Sequence, residues 1–115
     1  MVTHRRLTDW ERRVLLRLLE PEFPGRDALR DQLDDIVVSP IDDNRSLDMA
    51  CGGTVIADVE KRIPTEGEAS DLDGTTIHFL LHVVSGRLNR LEIFKDDSSR
   101  VARCPEPDDI QVLIL

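Results

Sequence analysis

"TTIHFLLHVVSGRLNRLEIFK", residues 75–95, decides the fold because two apolar stretches flank the turn residues Ser85 and Gly86. Apolar and polar residues alternate on both sides of the turn, which is typical of strands with one buried face. We therefore predict strands over residues 75–84 and 88–95, joined as a β-hairpin. One face of this hairpin gathers the apolar side chains of Ile77, Phe79, Leu81, Val83, Leu91 and Ile93.

The length of the hairpin loop sets which residues pair across it. A three-residue loop over residues 84–86, with Gly86 left-handed, separates polar from apolar side chains better than a two-residue loop does. The pairs that this register predicts are Val83–Arg87, Leu80–Arg90 and His78–Glu92.

The N-terminal third of the chain predicts two helices. Thr8 followed three residues later by Glu11 is a capping box, so a helix begins near residue 9 and ends near residue 19. Proline and the Phe-Pro-Gly turn at 23–25 separate it from a second helix over residues 26–33. The apolar side chains at helical spacing are Trp10, Val14, Leu15, Leu18 and Leu19 in the first helix, and Ala28, Leu29 and Leu33 in the second.

Beyond residue 35 the apolar residues follow strand periodicity, and turn residues interrupt them at short intervals. Besides the hairpin, we predict strands over residues 35–41, 46–51, 54–62 and 109–115, and we assign the polar stretch PTEGEASDLDG at 64–74 to a loop. Short connections without intervening helices favour antiparallel neighbours. The pattern predicts an α+β fold in one domain over residues 1–115, with two N-terminal helices packed on one face of a mainly antiparallel sheet of about five or six strands.

Length and charge narrow the classes of function. The chain of 115 residues has a formal net charge of −8, which argues against nucleic-acid binding because phosphate contacts require a basic surface. No apolar run approaches the roughly 20 residues that span a bilayer, and charged residues near the N-terminus interrupt any signal-peptide core. We therefore expect a cytoplasmic protein without membrane contacts, in which Cys51 and Cys104 are free thiols.

DLDGTT at 71–76 has the spacing of the nucleophile motif of haloacid-dehalogenase phosphatases. That motif requires an apolar parallel strand directly before its first aspartate, whereas the polar residues EGEAS precede Asp71. We therefore interpret Asp73 and Gly74 as a turn and assign no catalytic residue. A Ca²⁺ loop of EF-hand type is not indicated either, because the closing position holds His82 instead of glutamate.

His78 and His82 share the HxxxH spacing of zinc-binding helices. In a strand the same spacing separates them by about 13 Å on one face, which is too far for both to bind one ion. Cys51 has no neighbour in sequence that would lower its pKa and activate it. We expect neither a metal nor a cofactor.

Several separated segments resemble a small bacterial family of uncharacterised domains. They are RRLTDWERRVLLRLL at 5–19, Phe-Pro-Gly at 23–25 followed by Gln32, a proline-bearing segment before the final apolar strand, and above all Asp71 to Asp97 with Asp73, Gly74, His82, Gly86, Leu91 and Glu92. The resemblance covers nearly the whole chain. It implies a compact bacterial domain without an established catalytic activity, and it transfers no active-site residues.

An acidic chain without a catalytic constellation favours a non-catalytic protein-interaction module, in particular an immunity-type neutraliser of a basic protein partner. The partner-binding candidates are Glu66, Glu68, Asp71, Asp73, Asp96 and Asp97.

Two other interpretations remain open. The first is a small ligand-binding or enzymatic domain with a pocket around His78, Arg90 and Glu92. The second is a symmetric homodimer, which requires the final strand IQVLIL to lie at an edge of the sheet.

Overall fold

A computed structural model describes residues 3–53 and 55–115. The described elements are α1 (Asp9–Leu18), α2 (Arg26–Gln32), β1 (Ile36–Pro40), β2 (Leu47–Cys51), β3 (Thr65–Ser70), β4 (Thr76–Val84), β5 (Arg87–Lys95), a 3₁₀ turn (Pro107–Asp109) and β6 (Gln111–Ile114). The six strands form one sheet in the order β1-β2-β5-β4-β3-β6, and neighbouring strands are antiparallel. The predicted α+β arrangement is confirmed.

The predicted capping box opens α1. The Thr8 hydroxyl accepts a hydrogen bond from the Glu11 amide at 3.2 Å, and the Glu11 carboxylate accepts one from the Thr8 amide at 2.9 Å. The same carboxylate receives both terminal nitrogens of Arg5, at 2.7 and 2.8 Å. Because each acceptor oxygen has a partner, Glu11 can be buried at the start of the helix.

Both helices cover the apolar face of the β4–β5 hairpin, which is the core face predicted from the alternation. Phe79 lies at its centre, fully buried. The residues that α1 and α2 add to this core are Val14, Leu15, Leu18, Leu19, Leu29 and Leu33. In β3, a Cβ atom at Gly67 would lie 2.8 Å from Leu18 and 2.7 Å from Ile110. The glycine therefore allows α1 and the segment before β6 to approach the sheet closely.

The predicted hairpin register is wrong by one residue next to the turn and by two residues beyond the bulge in β5. The loop has two residues, Ser85 and Gly86, both with positive φ (53° and 74°), as a type I′ turn requires. In a regular strand one outward residue separates two buried residues, whereas two residues separate the buried Leu88 and Leu91 of β5. The pairing register shifts at this point, so β5 contains a bulge. The resulting pairs include Val84–Arg87, His82–Arg90, Leu80–Glu92 and His78–Phe94. A shift of two keeps every side chain on its face, which is why the predicted core face is correct.

The strand predicted over residues 54–62 is wrong for residues 55–62, and Thr54 lies outside the described residues. This segment runs beside the hairpin end, where the Ala57 amide donates to the Gly86 carbonyl at 2.9 Å and the Val83 amide to Arg62 at 2.7 Å. The strand that pairs with β4 is instead β3, which was predicted as loop. Its inward residues Thr65, Gly67 and Ala69 are too small to give an apolar alternation.

The two edges of the sheet differ. At β1, the Arg5 and Val38 backbones exchange two hydrogen bonds, at 2.9 and 2.7 Å. β6 forms the other edge, which is the position that the predicted homodimer requires; the dimer itself stays a prediction. Within the described ranges, neither helix has the length and apolarity needed to cross a membrane.

Candidate functional site

The face of the sheet opposite the helices carries a histidine surrounded by carboxylates. Nδ1 of His78, on β4, lies 2.8 Å from Glu66 and 3.8 Å from Glu68, both on β3. Its Nε2 contacts Asp96, which follows β5. The imidazole stacks on Phe94 with the ring centroids 5.0 Å apart. Burial alone would lower the pKa of His78, but hydrogen bonds to Asp96 and Glu66 outweigh it and raise the pKa.

A buried lysine, Lys95, lies at the end of β5 and pairs with Ile77, the residue before His78. The Lys95 side chain is only 3% exposed, and its ammonium is 3.0 Å from Asp71 and 2.8 Å from Asp73. The Asp71 carboxylate also accepts the Leu72 and Ala102 amides, each at 2.8 Å. These amides and Lys95 together lower the pKa of Asp71 to about 2 despite its burial, with the Ala102 amide the largest cause.

The six predicted partner-binding carboxylates lie in two groups: Glu66, Glu68 and Asp96 contact His78, Asp71 and Asp73 contact the buried Lys95, and Asp97 follows Asp96 in the chain. We call the acidic cluster the set Glu66, Glu68, Asp71, Asp73, Asp96 and Asp97 around His78 and Lys95. β3 and β4 join there through the turn at 71–75, and the Asp96 amide fixes the end of β5 by donating to Thr76 at 3.1 Å.

One member of the acidic cluster is misassigned as a contact residue. The Asp71 side chain is fully buried beneath Lys95 and the Ala102 amide, so it is structural and has no surface to offer a partner. Asp97 accepts hydrogen bonds from the amide and hydroxyl of Ser99, at 3.0 and 2.6 Å, and remains exposed. The partner-binding role of the five other carboxylates stays a prediction.

In the structure His78, Arg90 and Glu92, the residues of the predicted alternative pocket, hydrogen bond to other residues and not to one another. Arg90 hydrogen bonds to Asp48 at 3.1 Å, on the far side of β5 from β4. Glu92 accepts from His82 at 3.0 Å, so it is directed toward the other histidine. The wrong hairpin register explains this error, because it placed Glu92 opposite His78.

One pocket has a mainly apolar lining, to which neither His78 nor His82 contributes. It measures about 410 Å³ and is lined by Phe23, Val59, Pro64, Ile114 and Leu115 among others. Both cysteines are free thiols, as predicted. Burial raises the pKa of Cys51, against smaller opposing contributions from a backbone hydrogen bond and Arg87, and a thiol with a raised pKa is a poor nucleophile at neutral pH.

Within the described residues, one group has the composition and spacing of a metal site. Glu66, Glu68 and His78 each offer a ligand atom, and these atoms lie within 4.8 Å of one another. Sequence reasoning missed this group because it assigned β3 to a loop. The alternation of Glu66 and Glu68 around Gly67, just before a strand turn, was the available signal.

Comparison with curated proteins and with solved structures finds no match. A family model matches residues 4–105, nearly the whole described fold including the acidic cluster. The chain therefore belongs to the family described as a domain of unknown function, DUF6984.

Proposed function

We propose that this protein is a non-catalytic interaction module, acting in the bacterial cytoplasm, that binds a basic surface of a protein partner through the five carboxylates of the acidic cluster other than the buried Asp71. The observation that carries the proposal is that five carboxylates contact only two internal cations, His78 and Lys95, with Asp97 next to them in the chain. The acidic cluster therefore has an excess of negative charge, within a chain whose net charge is −8.

The geometry favours binding because the carboxylates are held before any partner arrives. Glu66 and Asp96 are fixed by His78, and Asp73 by Lys95. Side chains that are already ordered lose less conformational entropy on association. Excess negative charge also accelerates encounter with a positively charged partner, an effect that salt weakens.

The finer form of the proposal is an immunity-type neutraliser, which would cover the basic active surface of a toxin such as a nuclease. The same charge pattern supports it, since a nuclease that binds phosphates exposes basic side chains to which a rigid acidic surface is complementary.

Affinity capture from the lysate of the source cells tests the proposal. The variant Glu68→Gln/Asp96→Asn/Asp97→Asn removes three charges from the cluster. Its matched control, Glu22→Gln/Asp27→Asn/Asp34→Asn, removes three from exposed carboxylates around the helices. We expect a stoichiometric basic protein to be retained by the wild type and the control, lost from the cluster variant, and released by moderate salt. Retention by the cluster variant, or loss from both variants, would refute the role of the acidic cluster.

A further inference from the structure

We propose that Glu66, Glu68 and His78 bind one divalent transition-metal ion, for which Zn²⁺ is the representative probe. This inference goes beyond the proposed function, since it requires no protein partner. The three ligands lie on paired strands, where Glu68 is directly opposite His78 and Glu66 is opposite Leu80. Residues two apart in a strand point to the same face, so the sheet itself holds both carboxylates beside the imidazole.

The ligand separations suit a small cation. Zinc bonds of about 2.0–2.2 Å place the ligand atoms of a tetrahedral site roughly 3.4 Å apart. In the structure Nδ1 of His78 lies 2.8 Å from the Glu66 oxygen and 3.8 Å from the Glu68 oxygen. These two separations differ from the tetrahedral value by about 0.4–0.6 Å. The ligand atoms of Glu66 and Glu68 lie within 4.8 Å of each other, so rotation of the two carboxylates would bring all three atoms to bonding distance of one ion.

A separate contact, outside the three ligands, also points to a metal. Asp96 approaches Nε2 of His78 from the side opposite the two glutamates. Metal-binding histidines characteristically donate their second ring N–H to a carboxylate, which fixes the tautomer and the ring orientation. In the structure Nδ1 is 2.8 Å from Glu66 and so donates a proton to it; an ion would displace this proton, and with Nε2 donating to Asp96 the Nδ1 lone pair would then be directed at the ion. Stacking on Phe94 further limits rotation of the imidazole.

The second histidine of β4 provides an internal comparison. Nε2 of His82 contacts one carboxylate, Glu92, at 3.0 Å, while Arg62 donates to its Nδ1 at 3.3 Å. Both ring nitrogens are thus engaged, one of them by a cation that would repel a metal ion. His82 lies on the same strand as His78, and its side chain is similarly exposed, 13% against 15%. It lacks the two carboxylates that His78 has beside Nδ1.

The ligand types set the metal class. One imidazole and two carboxylates favour Zn²⁺ and related ions over Mg²⁺ and Ca²⁺, which select oxygen-only sites. Three protein ligands leave one tetrahedral position for water or another donor.

Isothermal titration of the chelator-treated full chain with Zn²⁺ tests this site, with Mg²⁺ and Ca²⁺ titrated in parallel. We expect one Zn²⁺ per chain and a rise in thermal midpoint that Mg²⁺ and Ca²⁺ do not produce. His78→Gln should abolish the saturable heat, Glu68→Gln should weaken it, and Asp96→Asn should reduce affinity about 10–100-fold. His82→Gln and Cys104→Ser are the matched controls and should bind as the wild type does.

Circular dichroism of each variant separates loss of the site from loss of the fold. Glu68→Gln is the decisive variant, because the Glu68 side chain is 39% exposed and its removal leaves the Glu66 and Asp96 contacts of His78 in place. Absence of saturable Zn²⁺ binding in the wild type would overturn the proposal. So would binding that survives Glu68→Gln and His78→Gln unchanged, or that Cys104→Ser removes.

Discussion

Gln32, at the end of α2, connects three parts of the fold through its side-chain amide. Its Nε2 donates to the carbonyls of Val55 and Gly86, at 3.0 and 2.8 Å, and its Oε1 accepts the Leu88 amide at 2.9 Å. The residue is 4% exposed. The register of β2 with β5 covers Leu47 and Asp48, so near the hairpin turn Gln32 supplies the partner that a strand would otherwise provide.

Replacement of Gln32 by leucine keeps the volume and removes these hydrogen bonds. The buried Leu88 amide then lacks an acceptor, which costs about 1–3 kcal/mol. Loss of the part-buried hydrogen bond to the Val55 carbonyl adds about 0.5–1.5 kcal/mol, whereas the Gly86 carbonyl keeps its bond from Ala57 at 2.9 Å. We expect a loss of about 2–4 kcal/mol in the free energy of unfolding, or a fall of roughly 8–16 °C in the melting temperature.

Urea unfolding followed by circular dichroism measures this loss. The midpoint should fall while the slope m is unchanged, which indicates an effect on stability alone. Gln111→Leu, at an exposed position on β6, is the matched control and should change stability by less than about 0.5 kcal/mol. A loss below about 1 kcal/mol for Gln32→Leu would show that water or a backbone shift satisfies the Leu88 amide, and would refute the connecting role of Gln32.

Three further predictions concern backbone packing and the buried aspartate. Gly67→Ala should destabilise the protein by about 1–3 kcal/mol through overpacking, while Gly52→Ala, where a Cβ meets nothing within 4 Å, should not; equal midpoints in urea would contradict this. Gly86→Ala should lower the midpoint more than Gly74→Ala. Both glycines have positive φ, but only at Gly86 would the added Cβ clash with a backbone oxygen, that of Ala57; equal effects would exclude that clash. The pKa of Asp71 falls from 3.8 to about 2 on folding, so the ionised carboxylate stabilises the fold above pH 3.8, and this contribution disappears toward pH 2. Urea unfolding at several pH values should show that acid lowers the stability of Asp71→Asn less than that of the wild type. Parallel pH curves would refute this role of Asp71.

The hairpin illustrates how much of the fold the sequence determines. Alternation over β4 and β5 predicts both strands and their buried face, because side-chain direction follows a period of two whatever the partner register. The register itself depends on positive φ at Ser85 and on a bulge in β5. Serine rarely adopts positive φ, so the sequence did not predict it at Ser85. The spacing of Leu88 and Leu91 was the one sequence feature that indicated the bulge.

The sequence predicted the acidic residues of the candidate site but not their arrangement. Its carboxylates were identified from composition, but their arrangement depends on β3, whose inward residues carry too little apolar surface to predict a strand. Residues 55–62 have the stronger strand propensity but do not form one, and they pack instead against the hairpin turn. Tertiary contacts thus override local preference in both segments, and no feature of either segment alone reveals this.

DLDGTT forms a structural turn in this protein and not the phosphatase nucleophile site that its spacing resembles. In a phosphatase the first aspartate must face an open crevice at the end of a parallel strand. Here Asp71 begins a tight turn between antiparallel strands, with its amide bonded to Thr75 at 2.9 Å and its carbonyl to the Gly74 amide at 3.0 Å. Its carboxylate accepts two backbone amides and Lys95, so no oxygen faces a substrate. The motif therefore fixes residues 95–102 against the sheet, and this places Asp96 beside His78.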